Sequence, residues 1–390
     1  MNYIIIGNGI AGIEAAFAIR KNDPDGTIKI ISSSEHLHYY RPNVIEYLGN
    51  GTTIEKLIIY KKEQYKKKNI ENILQTTITK INPSDHTLID ASGATYRYDR
   101  LLLATGAYSF VPPVRGSDCA GVFTLRGITD ANKIKDYCRD IASVVVVGGG
   151  LLGLESAYSL VKLGKKVTVV EFCKWLLPRQ LDKRGGEILA RMLSEKGLSF
   201  VLDDSVLSIE GNGRVEKLVL KSGREISAGA VVFSAGIRCR TALAKDAGIA
   251  VNNGIIVDDY MRTSAHDVYA AGDPAEHRGR IYGIWPAAKE QGRIAGMNMA
   301  GIATEYSGTL MANTLKITGI DLYSAGNFEA DNCDVLVTED PSHYKKFIFT
   351  GDNPVGAIVL GDREAMKIAQ RVIEGKAGPG EFKKIFSQRG

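Results

Sequence analysis

The chain carries one device twice. NYIIIGNGIAGIEAAFAIR (2–20) and SVVVVGGGLLGLESAYSLV (143–161) each run an apolar strand into Gly-x-Gly-x-x-Gly, then into a helix with small residues facing back. The glycines are Gly7, Gly9 and Gly12 in one copy and Gly148, Gly150 and Gly153 in the other. The first of each set allows a tight turn, the second lets a pyrophosphate approach the backbone, and the third lets helix and strand pack closely. Free N–H groups where each helix opens, at Ile10-Ala11 and Leu151-Leu152, and the helix dipole then favour anionic phosphates. One such motif is weak evidence; two copies, each between a strand and a helix, point to an α/β fold with two Rossmann-like dinucleotide-binding domains.

The repetition continues downstream. TLIDASGATYRYDRLLLATGA (87–107) reads as a hairpin turning at Ser92-Gly93, then an apolar strand ending at Ala104, Thr105 and Gly106. LVLKSGREISAGAVVFSAGI (218–237) repeats this, turning at Ser222-Gly223 and ending at Ala235-Gly236. A duplicated domain explains both pairs. In residues 250–275 a strand pair precedes a third strand that terminates in Gly272-Asp273, and a small-residue helix follows at 286–301. Short alternating strands and a closing helix over 309–380 suggest a small α+β domain, with a loosely ordered tail after Gly378. The expected domains are 1–112 and 242–308 for one dinucleotide, 113–241 for the other, and 309–390 at the C-terminus.

Composition narrows the class. A chain of 390 residues exceeds one compact core, and 44% hydrophobic with 24% charged residues is ordinary for a globular protein. No apolar run reaches the roughly 18 residues that span a bilayer, and MNYIIIGNG lacks a signal peptide's basic start, so a cytoplasmic protein is expected. Five scattered cysteines without a CxxC fit reduced thiols, not a disulfide framework, iron–sulfur cluster or zinc site. His36 and His38 lack a third ligand nearby, so no metal is expected. A net charge of +5 with no basic segment carrying interleaved aromatics excludes nucleic acid.

A dinucleotide domain presents an acid near the end of its second strand to hold a ribose. In the second copy KVTVVE ends in Glu171, which selects NADH because a 2′-phosphate would meet a carboxylate and Phe172-Cys173 offer no Arg. In the first copy TIKIISSSE leaves either Ser34 or Glu35 to face the ribose.

GNGIAG, YDRLLLATGA, GGGLLGLE and TSAHDVYAAGD together make the chain resemble the two-dinucleotide flavoprotein oxidoreductases. HYYRP, LLPRQLD with Gly185-Gly186, and LKITGIDLYSAG make it similar to NADH:rubredoxin oxidoreductases and the flavoprotein part of NADH nitrite reductases. The resemblance implies FAD on the first copy and NADH on the second. It implies hydride transfer from NADH to the flavin, then one-electron steps to a separate carrier. It places Asp273, after Gly272, on the ribityl and phosphate part of FAD beside Thr105-Gly106. On the residues alone, Asp273 before Pro274 also reads as a helix N-cap. Gly236 takes the matching place at the end of the second copy.

Disulfide-reducing relatives carry cysteines on the segment that here reads HLHYYRPNVIEYL (36–48), which has none. Arg41 and Pro42 imply that the segment still passes the flavin, with electrons leaving FAD directly. Many related ferredoxin reductases have a Lys where this chain has Glu46, paired with the Glu of GLE, here Glu155. If both carboxyls approach the flavin, like charge should raise one pKa. Trp285 either covers the flavin or belongs to the core. KKEQYKKKN (61–69), with five lysines, is a solvated helix face that could also guide an acidic carrier such as rubredoxin. An NADH oxidase, a donor subunit of a nitrite-reductase-like system and a non-catalytic redox-sensing flavoprotein are the alternatives.

Overall fold

In the computed structural model the described residues are 1–309, 313–327 and 333–381. Most of the tail after Gly378 lies outside them. The first stretch of chain forms β1 (Asn2–Ile6), α1 (Ile10–Asn22), β2 (Thr27–Ile31), α2 (Val44–Leu48), α3 (Ile54–Leu57), α4 (Lys62–Lys67) and β3 (Ile70–Ile73). Then come β4 (Ile78–Asn82), β5 (Thr87–Asp90), β6 (Thr95–Arg97), β7 (Arg100–Leu103) and β8 (Ala107–Ser109). The second stretch forms β9 (Val122–Thr124), α5 (Ile128–Tyr137), β10 (Ser143–Val147), α6 (Leu151–Lys162), β11 (Lys166–Val170), α7 (Lys183–Ser194) and β12 (Leu198–Val201). It continues with β13 (Val206–Glu210), β14 (Lys217–Leu220), β15 (Glu225–Ser227) and β16 (Ala230–Phe233). The chain returns through β17 (Ile237–Cys239), α8 (Ala242–Asp246), β18 (Ile255–Val257), β19 (Val268–Ala270), β20 (Ala275–His277) and α9 (Trp285–Met299). It closes with β21 (Asn313–Ile317), β22 (Ile320–Gly326), β23 (Asp334–Glu339), β24 (Tyr344–Thr350), β25 (Asn353–Leu360) and α10 (Arg363–Ile373).

These elements group into two compact units. One comprises Met1–Pro42, Thr53–Tyr108 and Ile237 to residue 309; the other comprises Asn43–Thr52, Ser109–Gly236 and the described residues from 313 on. Each holds a five-stranded parallel sheet, ordered β19-β7-β1-β2-β3 in the first and β12-β11-β10-β16-β9 in the second. Parallel strands covered on both faces need unbroken apolar runs. Ile4-Ile5-Ile6 and Val144-Val145-Val146 supply them, and all six are buried. Burying each such side chain contributes roughly 1.5–3 kcal/mol.

In the first unit α1 and α9 cross closely because their facing positions are small. A Cβ on Gly292 would lie 2.2 Å from Ala11 O, and one on Gly296 would lie 2.4 Å from Ala15 O. Both expected hairpins are present, β5–β6 and β14–β15, with Gly93 and Gly223 at φ of 88° and 87°. The strand pair expected ahead of β19 is not formed that way. β18 pairs in parallel with β20, which follows β19, because the chain doubles back through Gly272 at φ 85°.

The C-terminal antiparallel sheet, ordered β21-β22-β25-β24-β23, packs with α10 and belongs to the second unit. Asp182, which caps α7 through Gly185 N–H at 2.9 Å, also accepts from Tyr344 Oη at 2.7 Å and Lys346 Nζ at 2.9 Å. Burial alone would raise the Asp182 carboxyl, but Lys346, Gly185 and Tyr344 hold it below its ordinary value. Arg184 adds a two-pronged pair with Glu339. Segment 43–52 joins the same unit, since α2 packs on α5 and α6, with Ser159 Oγ donating to Ile45 O at 2.9 Å. No helix among the described residues is long and apolar enough to cross a membrane.

Candidate active site: two glycine cradles

In both sheets the order of strands reverses beside the glycine loop, β1 against β7 and β10 against β16. Ligands of open α/β sheets bind at such switch points, at the C-terminal strand ends. The two loops match contact for contact. A Cβ on Gly7 (φ 114°) would lie 2.1 Å from Ala104 O, and one on Gly148 (φ 116°) would lie 2.4 Å from Ser234 O. A Cβ on Gly12 or Gly153 would lie 2.0 Å from the carbonyl of its own Gly7 or Gly148. Gly9 and Gly150 differ, because a Cβ there would meet nothing within 4 Å.

Those two glycines are the N-caps of α1 and α6, extended, without a side-chain cap and with no acid in the first turn. The first helical hydrogen bonds are Ile13 N–H to Gly9 O and Leu154 N–H to Gly150 O, both 3.0 Å. The amides of Ile10, Ala11 and Gly12, and of Leu151, Leu152 and Gly153, therefore have no helical partner. Open space, unpaired amides and a positive helix end fit an anionic pyrophosphate in each cradle.

Around these cradles the second shows a fixed acid. Glu171 follows β11, is 9% exposed, and accepts from Gly149 N–H at 2.5 Å and Cys173 N–H at 2.8 Å. Its carboxylate is thus fixed against the glycine loop with lone pairs to spare for ribose hydroxyls. In the first cradle Ser34 is half-buried and Oγ accepts from His36 N–H at 3.0 Å, while exposed Glu35 lies 3.3 Å from His36 Nε2. Neither of these bonds involves Asn8, the counterpart of Gly149. Asn8 is instead gripped by His38, which the sequence offers only as a metal-ligand candidate, and by Tyr65, which it does not single out. His38 Nδ1–H donates to Asn8 O at 3.2 Å and Tyr65 Oη donates to Asn8 Oδ1 at 3.2 Å. Burial, with Arg41 nearby, lowers the His38 pKa to about 4 against the Asn8 bond, so the ring is neutral at physiological pH.

Of the first unit's other expected residues, Thr105-Gly106 and Gly272-Asp273 follow the ends of the paired strands β7 and β19. Gly272 N–H donates to Gln291 Oε1 at 2.9 Å, and a Cβ on Gly272 would lie 3.0 Å from Ala11 Cβ. Asp273 is half-buried and leads into β20; α9 starts at Trp285 with Ile284 as its N-cap, so the N-cap reading of Asp273 does not hold. Thr105 Oγ1 donates to Arg240 O at 3.0 Å and Arg240 N–H to Gly106 O at 3.0 Å, tying that turn to β17. In the second unit Gly236, the counterpart of Gly106, is exposed with φ 91°. Arg41 and Pro42 open a short 3-10 turn, with the Arg41 guanidinium 5.5 Å over the Tyr39 ring. Half-buried Trp285 stacks on His38 at 5.7 Å and meets Tyr40 edge-on at 4.9 Å, so it packs on the HLHYY segment. Cys239 Sγ donates to Asp273 O at 3.0 Å, which places this thiol, and not Cys173 alone, beside an expected cofactor residue.

Glu155 is half-buried on α6, one turn before Ser159, whose hydroxyl holds α2. Burial alone raises its pKa to about 7. Glu46, exposed in the first turn of α2, is not a cause of that rise, so desolvation takes the place of the like-charge effect expected from the sequence.

Residues 1–292 match the pyridine nucleotide-disulphide oxidoreductase family, and residues 312–377 match the rubredoxin NAD+ reductase C-terminal domain. The chain belongs to the pyridine nucleotide-disulphide oxidoreductases. It is 35% identical over 387 residues to a nitrite reductase [NAD(P)H] of Bacillus subtilis, covering 98% of this chain and 48% of that protein. It is 33% identical to an NADH-rubredoxin oxidoreductase of Clostridium acetobutylicum, covering 84% of this chain and 82% of that one. A crystal structure of NADH:rubredoxin oxidoreductase from the same species superposes with a TM-score of 0.83 at 29% identity, covering 97% of this chain and 96% of that one. The chain spans about half the length of the Bacillus subtilis relatives, 48% of the nitrite reductase and 47% of an assimilatory nitrate reductase electron transfer subunit. The family and its rubredoxin-reductase members use FAD and NADH.

Proposed function

We propose that the first cradle holds FAD, the second holds NADH, and the protein is an NADH-dependent flavoprotein reductase serving a small acidic iron–sulfur carrier such as rubredoxin. The observation that carries this reading is the pair of uncapped glycine cradles, with a carboxylate fixed against only the second. Held in the first cradle, FAD would supply acceptance of a hydride from NADH, leaving NAD+, and release of the two electrons singly. The chain's own residues bind and orient. Gly7, Gly9, Ile10, Ala11 and Gly12 receive one pyrophosphate; Gly148, Gly150, Leu151, Leu152 and Gly153 receive the other. Glu171 accepts from the NADH ribose, and Ser34 or Glu35 serves the FAD ribose. Arg41, Pro42, Ala104, Thr105, Gly106, Gly272 and Asp273 line the flavin's course, with Trp285 over the same region, and Gly236 serves the NADH cradle as Gly106 serves the first. Glu155 holds a proton near neutral pH because burial disfavours its charge.

The sulfur-free 36–48 segment supports direct exit of electrons, and the match of the C-terminal sheet to a rubredoxin-reductase domain supports the carrier class. A docking surface is available next to the first cradle. The inner side of α4 gives Tyr65 to Asn8, while Lys61, Lys62, Lys66, Lys67 and Lys68 on and beside it are exposed.

The test is anaerobic reduction by NADH in a stopped-flow cell, then reoxidation by rubredoxin, ferredoxin, nitrite or oxygen. Rubredoxin or ferredoxin should reoxidise the protein fastest, and that step should slow with added salt, since screening shortens charge steering to about 8 Å at 0.15 M. Reduction by NADH should change far less. Oxygen outpacing every protein carrier would make the enzyme an oxidase and end this reading.

A further inference from the structure

Outside both cradles, one group of side chains on the first unit has the composition of a metal site. His86 sits in the turn between β4 and β5, and His266 and Asp267 sit in the turn before β19. One nitrogen from each histidine and one Asp267 oxygen all lie within 4.8 Å of one another. We propose that His86, His266 and Asp267 form a binding site for one divalent transition-metal cation of the zinc type.

The geometry of each ligand supports this. Both His86 and Asp267 adopt the left-handed conformation, at φ 51° and 62°, which aims their side chains across from neighbouring turns. The His86 ring is held against Tyr98, with centroids 5.2 Å apart and planes 16° from parallel. Asp267 is mostly buried and has its two oxygens divided. Oδ1 pairs with the Arg100 guanidinium, while Oδ2 lies 2.6 Å from His266 Nδ1. A carboxylate oriented by a second residue is the usual support of a ligating acid. His266 is 88% exposed, so its ring can trade the 2.6 Å contact with Asp267 Oδ2 for a bond to a common ion without displacing packed neighbours. Bonds of about 2.0–2.2 Å to nitrogen and oxygen require only a modest contraction of the group.

Ligand chemistry narrows the ion. Two imidazoles and one carboxylate suit zinc, cobalt or nickel, whereas magnesium and calcium take oxygen and copper(I) takes sulfur. A cavity of about 540 Å³ walled by Arg100, Arg262, His266, Asp267 and Asn298 adjoins the site and leaves room for a water to complete the coordination. Asp267 leads directly into β19, whose end carries Gly272 and Asp273. Metal bound here would brace the base of the strand that presents that turn, a stabilising role and not a redox one.

The test uses the full chain loaded with its flavin, stripped with chelator, and equilibrated against buffered Zn2+ with bound metal read by elemental analysis. The wild type should hold one zinc per chain. His86→Asn, which keeps a residue tolerant of the left-handed turn, and His266→Ala should each weaken binding at least about tenfold. Zinc should raise the melting temperature of the wild type and of neither variant, while flavin content and reduction by NADH stay the same in all three. His266 is on the surface, so His266→Ala reports even if His86→Asn folds poorly. Zinc held equally well by the wild type and by His266→Ala, or no zinc retained by the wild type, overturns the proposal.

Discussion

The two cradles are built from one backbone pattern and differ in how the residue between the first two glycines is held. In the second it is Gly149, whose amide clamps Glu171. In the first it is Asn8, whose carbonyl and side chain are taken by His38 and Tyr65. The pyrophosphate platform is therefore shared, while the ribose partner is fixed in one and left to an exposed loop in the other. Identical fingerprints set where a dinucleotide's phosphates go. What lies beside the middle residue sets how strictly its sugar is read.

The largest effect should separate the glycines by role. Gly12→Ala and Gly153→Ala press a Cβ onto a backbone carbonyl at 2.0 Å, so each should cost at or above the 1–3 kcal/mol of ordinary overpacking and lower the melting temperature. Gly9→Ala and Gly150→Ala place the methyl in open space and should leave stability nearly unchanged. If the pyrophosphates sit there, Gly9→Ala loses FAD, and Gly150→Ala keeps FAD but binds NADH poorly. Normal FAD content and normal NADH binding in this second pair would break the comparison at its base.

Next in size is the ribose contact. Losing a charged acceptor costs about 1.5–3 kcal/mol, so Glu171→Ala should raise the Michaelis constant for NADH roughly ten- to a hundredfold without altering the flavin spectrum. Ser34→Ala and Glu35→Ala should each change FAD affinity by less, because neither side chain is fixed to the glycine loop. An unchanged constant in Glu171→Ala removes that residue from the site.

A smaller effect is pH-dependent. Folding raises the Glu155 pKa from 4.5 to about 7, so the folded state keeps a proton that the unfolded chain releases. Stability is then lost as pH rises from about 4.5 to about 7 and stays flat above. Glu155→Gln should be more stable than the wild type at about pH 8 and no more stable at about pH 4, as read by denaturant titration. An equal gain at both values would mean that the carboxyl is not desolvated.

The smallest change is expected from the thiols. Replacing all five cysteines by Ser should preserve NADH-driven reduction of ferricyanide, since the hydroxyl introduced by Cys239→Ser would still donate to the Asp273 carbonyl. Cys239 is the position to watch, given its 3.0 Å contact there. A variant that keeps FAD, is reduced normally and cannot pass electrons on would reveal a thiol relay.

Much of this was legible along the chain because it depends on local rules. Glycine spacing between an apolar run and a helix, hairpin turns at Ser-Gly, and Glu171 at a strand end are patterns a few residues long. The His38–Asn8–Tyr65 grip was not legible, since its members are 27 to 57 positions apart. The cause of the Glu155 shift is not legible for a related reason. Sequence shows a like-charged residue at a family position, whereas burial comes from how α6 is covered.

The amino-acid sequence by itself determined the duplicated α/β units, the turns that only glycine can make, and the absence of sulfur from residues 36–48. Each follows from backbone sterics, strand burial or composition, and none needs a distant partner. Tertiary structure alone decided which carboxylate is clamped and which is loose. It also decided that segment 43–52 and the C-terminal sheet join the second unit, and that His86 meets His266 and Asp267. Those outcomes rest on contacts between residues far apart in the chain, where packing and desolvation, not local spacing, set the energy.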